Sequence, residues 1–169
     1  MGYVHVYTGD GKGKTTAAIG IAMRAVGAGK KVFLAQFVKG MRYSELISLS
    51  KIPEITVKQF GLDCFIYESP KQIDIDKARE GLDLIRNIIT TNKYQMIILD
   101  EANIALYYKL FSIDELLEVI ESRHEDIEVI ITGRKAPDKL IDYADLVTEM
   151  KEIKHYYQKG VHARKGIES

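Results

Sequence analysis

Nine consecutive residues near the start of the chain, Thr8-Gly9-Asp10-Gly11-Lys12-Gly13-Lys14-Thr15-Thr16, have the makings of a phosphate cradle. Glycine accepts positive φ and lets a backbone approach an anion closely. Successive N–H groups can then form an anion nest at a helix N-terminus. In such a loop Lys14 reaches the terminal phosphates of a nucleotide and the Thr15 hydroxyl holds a divalent cation. There is one departure from the pattern G-x-x-x-x-G-K-[ST]. The first glycine position is Thr8, with Gly9 one residue later, so a slightly different loop path is expected. A glycine-rich hairpin carrying two solvated lysines is the competing reading. Three alternate glycines leading into Lys14-Thr15 argue against it.

A nucleotide loop of this kind needs a carboxylate at the end of a neighbouring strand. Met96-Ile97-Ile98-Leu99-Asp100-Glu101 supplies two. Either Asp100 or Glu101 is a candidate metal ligand, and an acidic helix start is the alternative. Another apolar run leads into Thr132-Gly133-Arg134-Lys135. The planar fork of Arg134 suits a phosphate oxygen, and an exposed turn arginine is the other reading. The tail mixes cations, rings and glycines, as in Lys154-His155-Tyr156-Tyr157 and Gly160 to Ile167. An ordered lid or binding segment is expected there rather than a frayed end. No pair of histidines has the spacing or carboxylate support of a zinc site. There is no GxSxG elbow, no Cys–His pair, no kinase HRD or DFG motif and no Rossmann acidic partner. With no protein nucleophile in view, the chemistry is expected to belong to two bound substrates, with the protein supplying position and charge.

The elements that must carry these loops alternate along the chain. Tyr3 to Tyr7 reads as a first strand and Thr16 to Ala28, apolar nearly all round, as a buried helix. Val32 to Val38 is a continuous apolar strand of the sort covered on both faces, and Ile55 to Phe60 is a weaker one. Ile75, Ala78, Leu82, Ile85 and Ile89 form one helical stripe, with Asp74 as the expected N-cap. Met96 to Leu99 and Val129 to Thr132 are buried strands. Ser112-Ile113-Asp114-Glu115 is a capping box opening a helix. Pro137 suits the first turn of another, and Leu146 to Met150 is a last strand. Strands alternating with helices predict one α/β domain, residues 1–169, with a mostly parallel sheet sandwiched by helices. Ligands of such sheets bind at the C-terminal ends of the strands, where all three loops fall.

The 169 residues are 46% apolar and 28% charged, an ordinary globular composition. Lys plus Arg and Asp plus Glu are 24 each, so the net charge is zero, which argues against a nucleic-acid partner. Charge is nonetheless segregated: residues 1–60 carry +6, residues 61–150 carry −9 and residues 151–169 carry +3. The two basic ends are expected to converge on an anion, against the simpler reading of solvated faces. A single cysteine, Cys64, excludes an intrachain disulfide framework. No apolar run approaches the ~18–20 residues of a membrane span. No signal peptide is read at the N-terminus, so the cytoplasm is the expected location.

With these residues in hand, the chain resembles the P-loop type of ATP:corrinoid adenosyltransferase from Tyr7 to Glu168. The matching stretches are TGDGKGKTTAA (Thr8 to Ala18), QFVKG (Gln36 to Gly40), ILDEAN (Ile98 to Asn103), TGR (Thr132 to Arg134), ADLVTEM (Ala144 to Met150) and KH…KG…A…GIE (Lys154 to Glu168). The resemblance implies a RecA-like P-loop NTPase fold. It implies attack of a reduced corrinoid, as Co(I), on the 5′ carbon of ATP, with triphosphate as leaving group. ATP and a corrinoid, cobalamin or a precursor, are the implied substrates and Mg²⁺ or Mn²⁺ the implied metal. A homodimer and a flavin-type reductase are the implied partners. It assigns Lys14, Thr15 and Glu101 to catalysis and residues 8–16 with Gln36, Lys39 and Arg134 to ATP. It assigns Thr15, Asp100 and Glu101 to the metal, and Leu62, Phe65, Asn103, Lys154 and His155 to the corrinoid, with residues 151–169 an active-site tail. Three features depart from the family pattern. Asp10 stands where Asn is common. The N-terminal helix that covers the corrinoid in some members is absent or replaced, because the first strand starts at once. An aromatic pair after a glycine is replaced by Gly61-Leu62-Asp63-Cys64-Phe65, in which Leu62 and Phe65 would form an apolar wedge. Two rival functions are a P-loop small-molecule kinase, which would make ADP, and a nucleotide-dependent corrinoid carrier without turnover.

Overall fold

A computed structural model describes residues 1–41, 43–62 and 69–168. Six strands, β1 (Val4–Thr8), β2 (Val32–Phe37), β3 (Ile55–Phe60), β4 (Met96–Asp100), β5 (Glu128–Thr132) and β6 (Leu146–Glu149), form one sheet in the order β3-β2-β4-β5-β1-β6. Every neighbouring pair is parallel. Parallel strands need crossovers. These are provided by α1 (Lys14–Gly27), α2 (Ser44–Leu49), α3 (Gln72–Ile89), α4 (Ala102–Tyr107), α5 (Ile113–Glu121) and α6 (Asp138–Tyr143), with a short 3-10 turn at Tyr156–Lys159.

The inner strands alternate between two cores. Phe33, Ala35, Phe37, Ile97, Leu99, Val129 and Ile131 pack under α3, α5 and α6. Val32, Leu34, Met96, Ile98 and Ile130 pack under α1, whose contact face is built from Ala18, Ala22 and Ala25. Both faces of β2 and β4 are therefore buried, which explains their unbroken apolar runs. Gly81 interrupts α3 for a steric reason. A Cβ there would stand 2.7 Å from a ring carbon of Phe60 and 2.8 Å from one of Phe37.

Most expected elements appear within a residue or two of their sequence limits. Helix α3 begins earlier than its stripe suggests, so Asp74 is the third helical residue rather than the cap, and its carboxylate accepts from the Lys71 N–H at 2.8 Å. The Ser112 capping box forms as read, with Ser112 Oγ and the Glu115 carboxylate each accepting from the other's N–H. Pro137 precedes α6 rather than opening it. Helices α2 and α4, six residues each, have no stripe long enough to announce them.

Strand order decides the site. β5 lies between β1, which feeds the phosphate loop, and β4, which carries the carboxylates. At the C-terminal edge β2 aligns Gln36 with Gln59 on one side and with Asp100 on the other.

Candidate functional site

The phosphate loop runs from Thr8 into the first turn of α1, with Gly9 at φ 92° and Gly13 at φ 117°. Both values lie in the region that glycine tolerates. Gly9 and Gly11 also serve a contact that the sequence does not reveal. A Cβ on either would stand 2.5–2.6 Å from the Met150 carbonyl oxygen. That carbonyl accepts from the Gly11 N–H at 2.6 Å, and the Met150 N–H donates to the Thr8 carbonyl at 2.8 Å. The end of β6 is thus bound to the loop, and Gly11 is committed to Met150 rather than to an anion nest. The first-turn N–H groups of α1 keep the orientation of an anion site, because they have no acceptor within the helix.

Lys14 is buried and donates to the Gly9 and Gly11 carbonyls at 2.8 and 2.7 Å. Burial lowers its pKa, with Glu101 pulling the other way. Thr8 Oγ1 accepts from the Ala136 N–H at 3.2 Å and Thr16 is exposed. The Asp10 carboxylate, 78% exposed, lies 4.0 Å from Arg134 Nε. Asp10 therefore faces solvent and the arginine.

Asp100 is the centre of the arrangement and is fully buried. Its Oδ1 accepts from Thr15 Oγ1 at 2.8 Å and from Thr132 Oγ1 at 2.6 Å. Its Oδ2 accepts from Lys39 Nζ at 2.8 Å and from Gln36 Nε2 at 3.2 Å. Lys39 Nζ also donates to Thr15 Oγ1 at 3.4 Å. Burial works against the Lys39 charge, but the Asp100 carboxylate outweighs it and holds the ammonium above the ordinary lysine pKa. Gln36 is held in turn by Gln59 Nε2, which donates to its Oε1 at 3.1 Å. Of the two sequence-level carboxylates, Asp100 is the one that meets Thr15. Gln36 grips Asp100, and Lys39 bridges Asp100 and Thr15.

Glu101 adopts a left-handed conformation, φ 59°, its N–H donates to Thr132 Oγ1 at 3.0 Å, and its carboxyl group lies within the field of Lys39, Lys14 and Arg134. Burial, then the neighbouring Asp100, raises its carboxyl pKa. A raised pKa means that the fold binds this proton more tightly than the unfolded chain does. The associated stability is full below the usual carboxylate range and is lost as pH rises through the raised value. The Glu101→Gln variant is therefore expected to melt above the parent at pH 8, with the gap closing by pH 4. Circular dichroism melts without nucleotide read this directly, and a gap that widens on acidification would contradict it.

The remaining expected residues divide. Asn103 is buried at the start of α4 and donates to the Gly133 carbonyl at 2.9 Å. It braces the turn that presents Arg134. Lys12 is likewise turned to the tail. Its Nζ donates to Glu168 Oε1 at 2.9 Å, the Ile167 carbonyl at 2.8 Å and the Tyr156 hydroxyl at 3.3 Å. Tyr156 also donates to Glu168, and Arg164 stacks over the Tyr156 ring at 4.8 Å. His155 Nδ1 accepts from the Tyr157 N–H at 3.0 Å and so caps the 3-10 turn, while Lys154 is exposed. The tail is ordered by these contacts. The basic ends do meet, but through Glu168, and the cleft of about 450 Å³ beside the loop is lined by Asp10, Arg134, Glu149, Lys151 and Glu152. Acids thus offset the expected cationic convergence.

Leu62 is half-buried. The backbones of Gly61-Leu62 and Lys39-Gly40 touch so closely that a Cβ on Gly40 would stand 2.5 Å from the Leu62 carbonyl carbon. Phe65 and Cys64 lie outside the described residues. Among the described residues no cluster of three His, Cys, Asp or Glu side chains could hold a metal unaided, and no helix is long and apolar enough to cross a membrane. Sequence reading missed Thr132 and Gln59 as members of the network. For Thr132 the available signal was a polar side chain ending an apolar run, whereas Gln59, in a strand that also carries Thr56 and Lys58, offered none.

Comparison with known proteins identifies the family. The family described as "ATP:corrinoid adenosyltransferase BtuR/CobO/CobP" matches residues 1–169. A corrinoid adenosyltransferase of Pseudomonas aeruginosa is 35% identical over 169 residues, covering 99% of this chain and 83% of the relative. Corrinoid adenosyltransferases of Escherichia coli K12 and Salmonella typhimurium are 34% and 33% identical, each covering 99% of this chain and 85% of the relative. Among solved structures, a KaiC-like protein of Pyrococcus horikoshii superposes with a TM-score of 0.53 at 19% identity. The match covers 89% of this chain and 74% of that one, a likeness of fold.

Proposed function

The chain belongs to the ATP:corrinoid adenosyltransferase family, a family of transferases, and from that premise we propose how its own residues move an adenosyl group from ATP to a corrinoid. The observation that carries the reading is the meeting of the phosphate loop with Asp100, with Thr15 Oγ1 and Asp100 Oδ1 2.8 Å apart. The cobalt of a Co(I) corrinoid supplies the electron pair. It forms a Co–C bond at C5′ of the ribose as the C5′–O bond breaks, and triphosphate leaves with the bonding electrons. No protein base or nucleophile is required. The protein's task is to hold the leaving group and balance its charge as it departs.

Lys14 and the first turn of α1 hold the triphosphate, and Arg134 steadies it from the β5 side. A divalent cation fits the remaining pair. Thr15 and Asp100 offer the hard oxygens that Mg²⁺ and Mn²⁺ select. A positive charge already lies between those oxygens, in the form of the Lys39 ammonium. Bound there, such a cation would neutralise the departing triphosphate. Thr132 and Gln36 fix the Asp100 carboxylate, and the neighbouring Glu101 carboxyl has its pKa raised by burial. The corrinoid is placed over the C-terminal edge near Leu62, with residues 151–169 forming the wall on the tail side. Residues 1–169 act as one catalytic unit, working as a homodimer in the cytoplasm with electrons from a flavin-type reductase.

One incubation tests the reading. The protein is mixed with MgATP and a chemically reduced corrinoid, in the dark and without oxygen. A photolabile alkyl-cobalt spectrum arising one-for-one with triphosphate is expected. ADP or orthophosphate without that spectrum would replace the reading with a kinase or ATPase. Corrinoid retained without product would replace it with a carrier.

A further inference from the structure

We infer that Lys39 is a placeholder for the divalent cation: its ammonium bridges the Thr15 hydroxyl and the Asp100 carboxylate when nucleotide is absent, so that metal enters only together with a nucleotide. The inference rests on the proposed metal site and adds to it an order of events.

Three observations support it. The first is position. Lys39 Nζ lies 2.8 Å from Asp100 Oδ2 and 3.4 Å from Thr15 Oγ1, so it contacts both residues that would hold the metal. The second is charge. Asp100 is fully buried, and a buried carboxylate without a counter-ion is costly, so some cation must accompany it in every state of the protein. The third is how the lysine is aimed. It follows Val38, whose φ of 56° is rare and strained for a β-branched side chain. A relaxed extended residue at that point would continue β2 and direct Lys39 elsewhere. The backbone bears this strain at the turn that folds the ammonium back onto Asp100.

The consequence is an exclusion rule. A free divalent ion meets a positive charge already on its ligands and brings no compensating anion. A metal–nucleotide complex brings triphosphate, which gives the displaced ammonium a new partner. Lys39 then moves from Asp100 to the nucleotide side, and the site exchanges one cation for another with Asp100 never left unpaired.

The test uses Mn²⁺ alone as the probe, with no ATP and no corrinoid, followed by electron paramagnetic resonance of the free ion. The parent is expected to show no saturable site. Lys39→Met, neutral and of similar length, is expected to bind one Mn²⁺ at least about tenfold more tightly. Lys39→Arg, which keeps the charge, is expected to exclude Mn²⁺ as the parent does. Thermal melts give a second readout, because a ligand that binds only the folded state raises the melting temperature. Mn²⁺ should raise that of Lys39→Met and leave the parent unchanged. Equal Mn²⁺ binding by parent and Lys39→Met would overturn the placeholder. The metal site itself is checked separately, by Mn²⁺ binding in the presence of ATP. If Asp100→Asn leaves that affinity unchanged, the metal reading fails. If Asp100→Asn weakens it while Lys39→Met behaves as the parent, only the placeholder fails.

Discussion

Replacing Asp100 with alanine is expected to destabilise the protein by about 3–5 kcal/mol, the cost of stranding one partner of a buried ion pair. Four donors converge on this carboxylate, and one of them is the ammonium of Lys39, whose side chain is 16% exposed while that of Asp100 is fully buried. Alanine leaves that ammonium without its counter-ion and the hydroxyls of Thr15 and Thr132 without their acceptor. In a chain of this size each kcal/mol lowers the melting temperature by about 2–4 °C, so a drop of roughly 6–20 °C is expected in a thermal melt. Asp100→Asn keeps the shape and one acceptor oxygen and is expected to lose less stability while losing the transfer reaction. An alanine variant that melts with the parent would show that the network is ornamental to the fold.

The second large effect separates activity from stability. Lys14→Ala is expected to lower kcat/KM for ATP by about 10²–10³, the range found when one preorganised charge-stabilising donor is removed. The fold should hardly notice. Lys14 donates only to the carbonyls of Gly9 and Gly11, which water can reach once the side chain is gone, and burial already disfavours its charge. Triphosphate release under single-turnover conditions, set beside a thermal melt, checks both halves. Undiminished turnover would remove Lys14 from the chemistry. Lost turnover together with a collapsed melt would assign it to the fold.

These two residues also mark the limit of what the chain discloses unfolded. Lys14 was legible because everything that defines it is local: three alternate glycines, a lysine, a threonine, a strand before and a helix after. Asp100 was legible only as one of a pair. What chose it over Glu101 was register. Gln36 and Asp100 are aligned across β2 and β4, and Thr132 approaches from β5, although 32 residues separate it from Asp100 in sequence. No local spacing carries that information, because it depends on β5 entering the sheet between β1 and β4. The same holds for Lys12, whose partner Glu168 lies 156 residues away. Asn103 has a structural partner that its motif does not disclose. Its motif was recognised, but a six-residue helix buries it against the Gly133 carbonyl. The start of α3 was misjudged because an acid is welcome at the third helical residue as well as at the cap.

The place of β1 in the sheet has a consequence for how the molecule is made. Within this sheet the earliest strand in the sequence, β1, has as its neighbours β5 and β6, the two latest. At about 5–20 residues per second, roughly 6–25 s pass between the emergence of β1 and that of its first partner. Throughout that interval its ladder is unpaired and Val4 and Val6 are uncovered. The phosphate loop, whose Gly9 and Gly11 are shaped against Met150, lacks the backbone it closes on. Nucleotide cannot therefore guide early folding of the nascent chain. Competence arrives late, when β6 docks; a chain cut short before β5 would leave β1 unpaired on both edges, and one cut between β5 and Met150 would lack the backbone on which the loop closes.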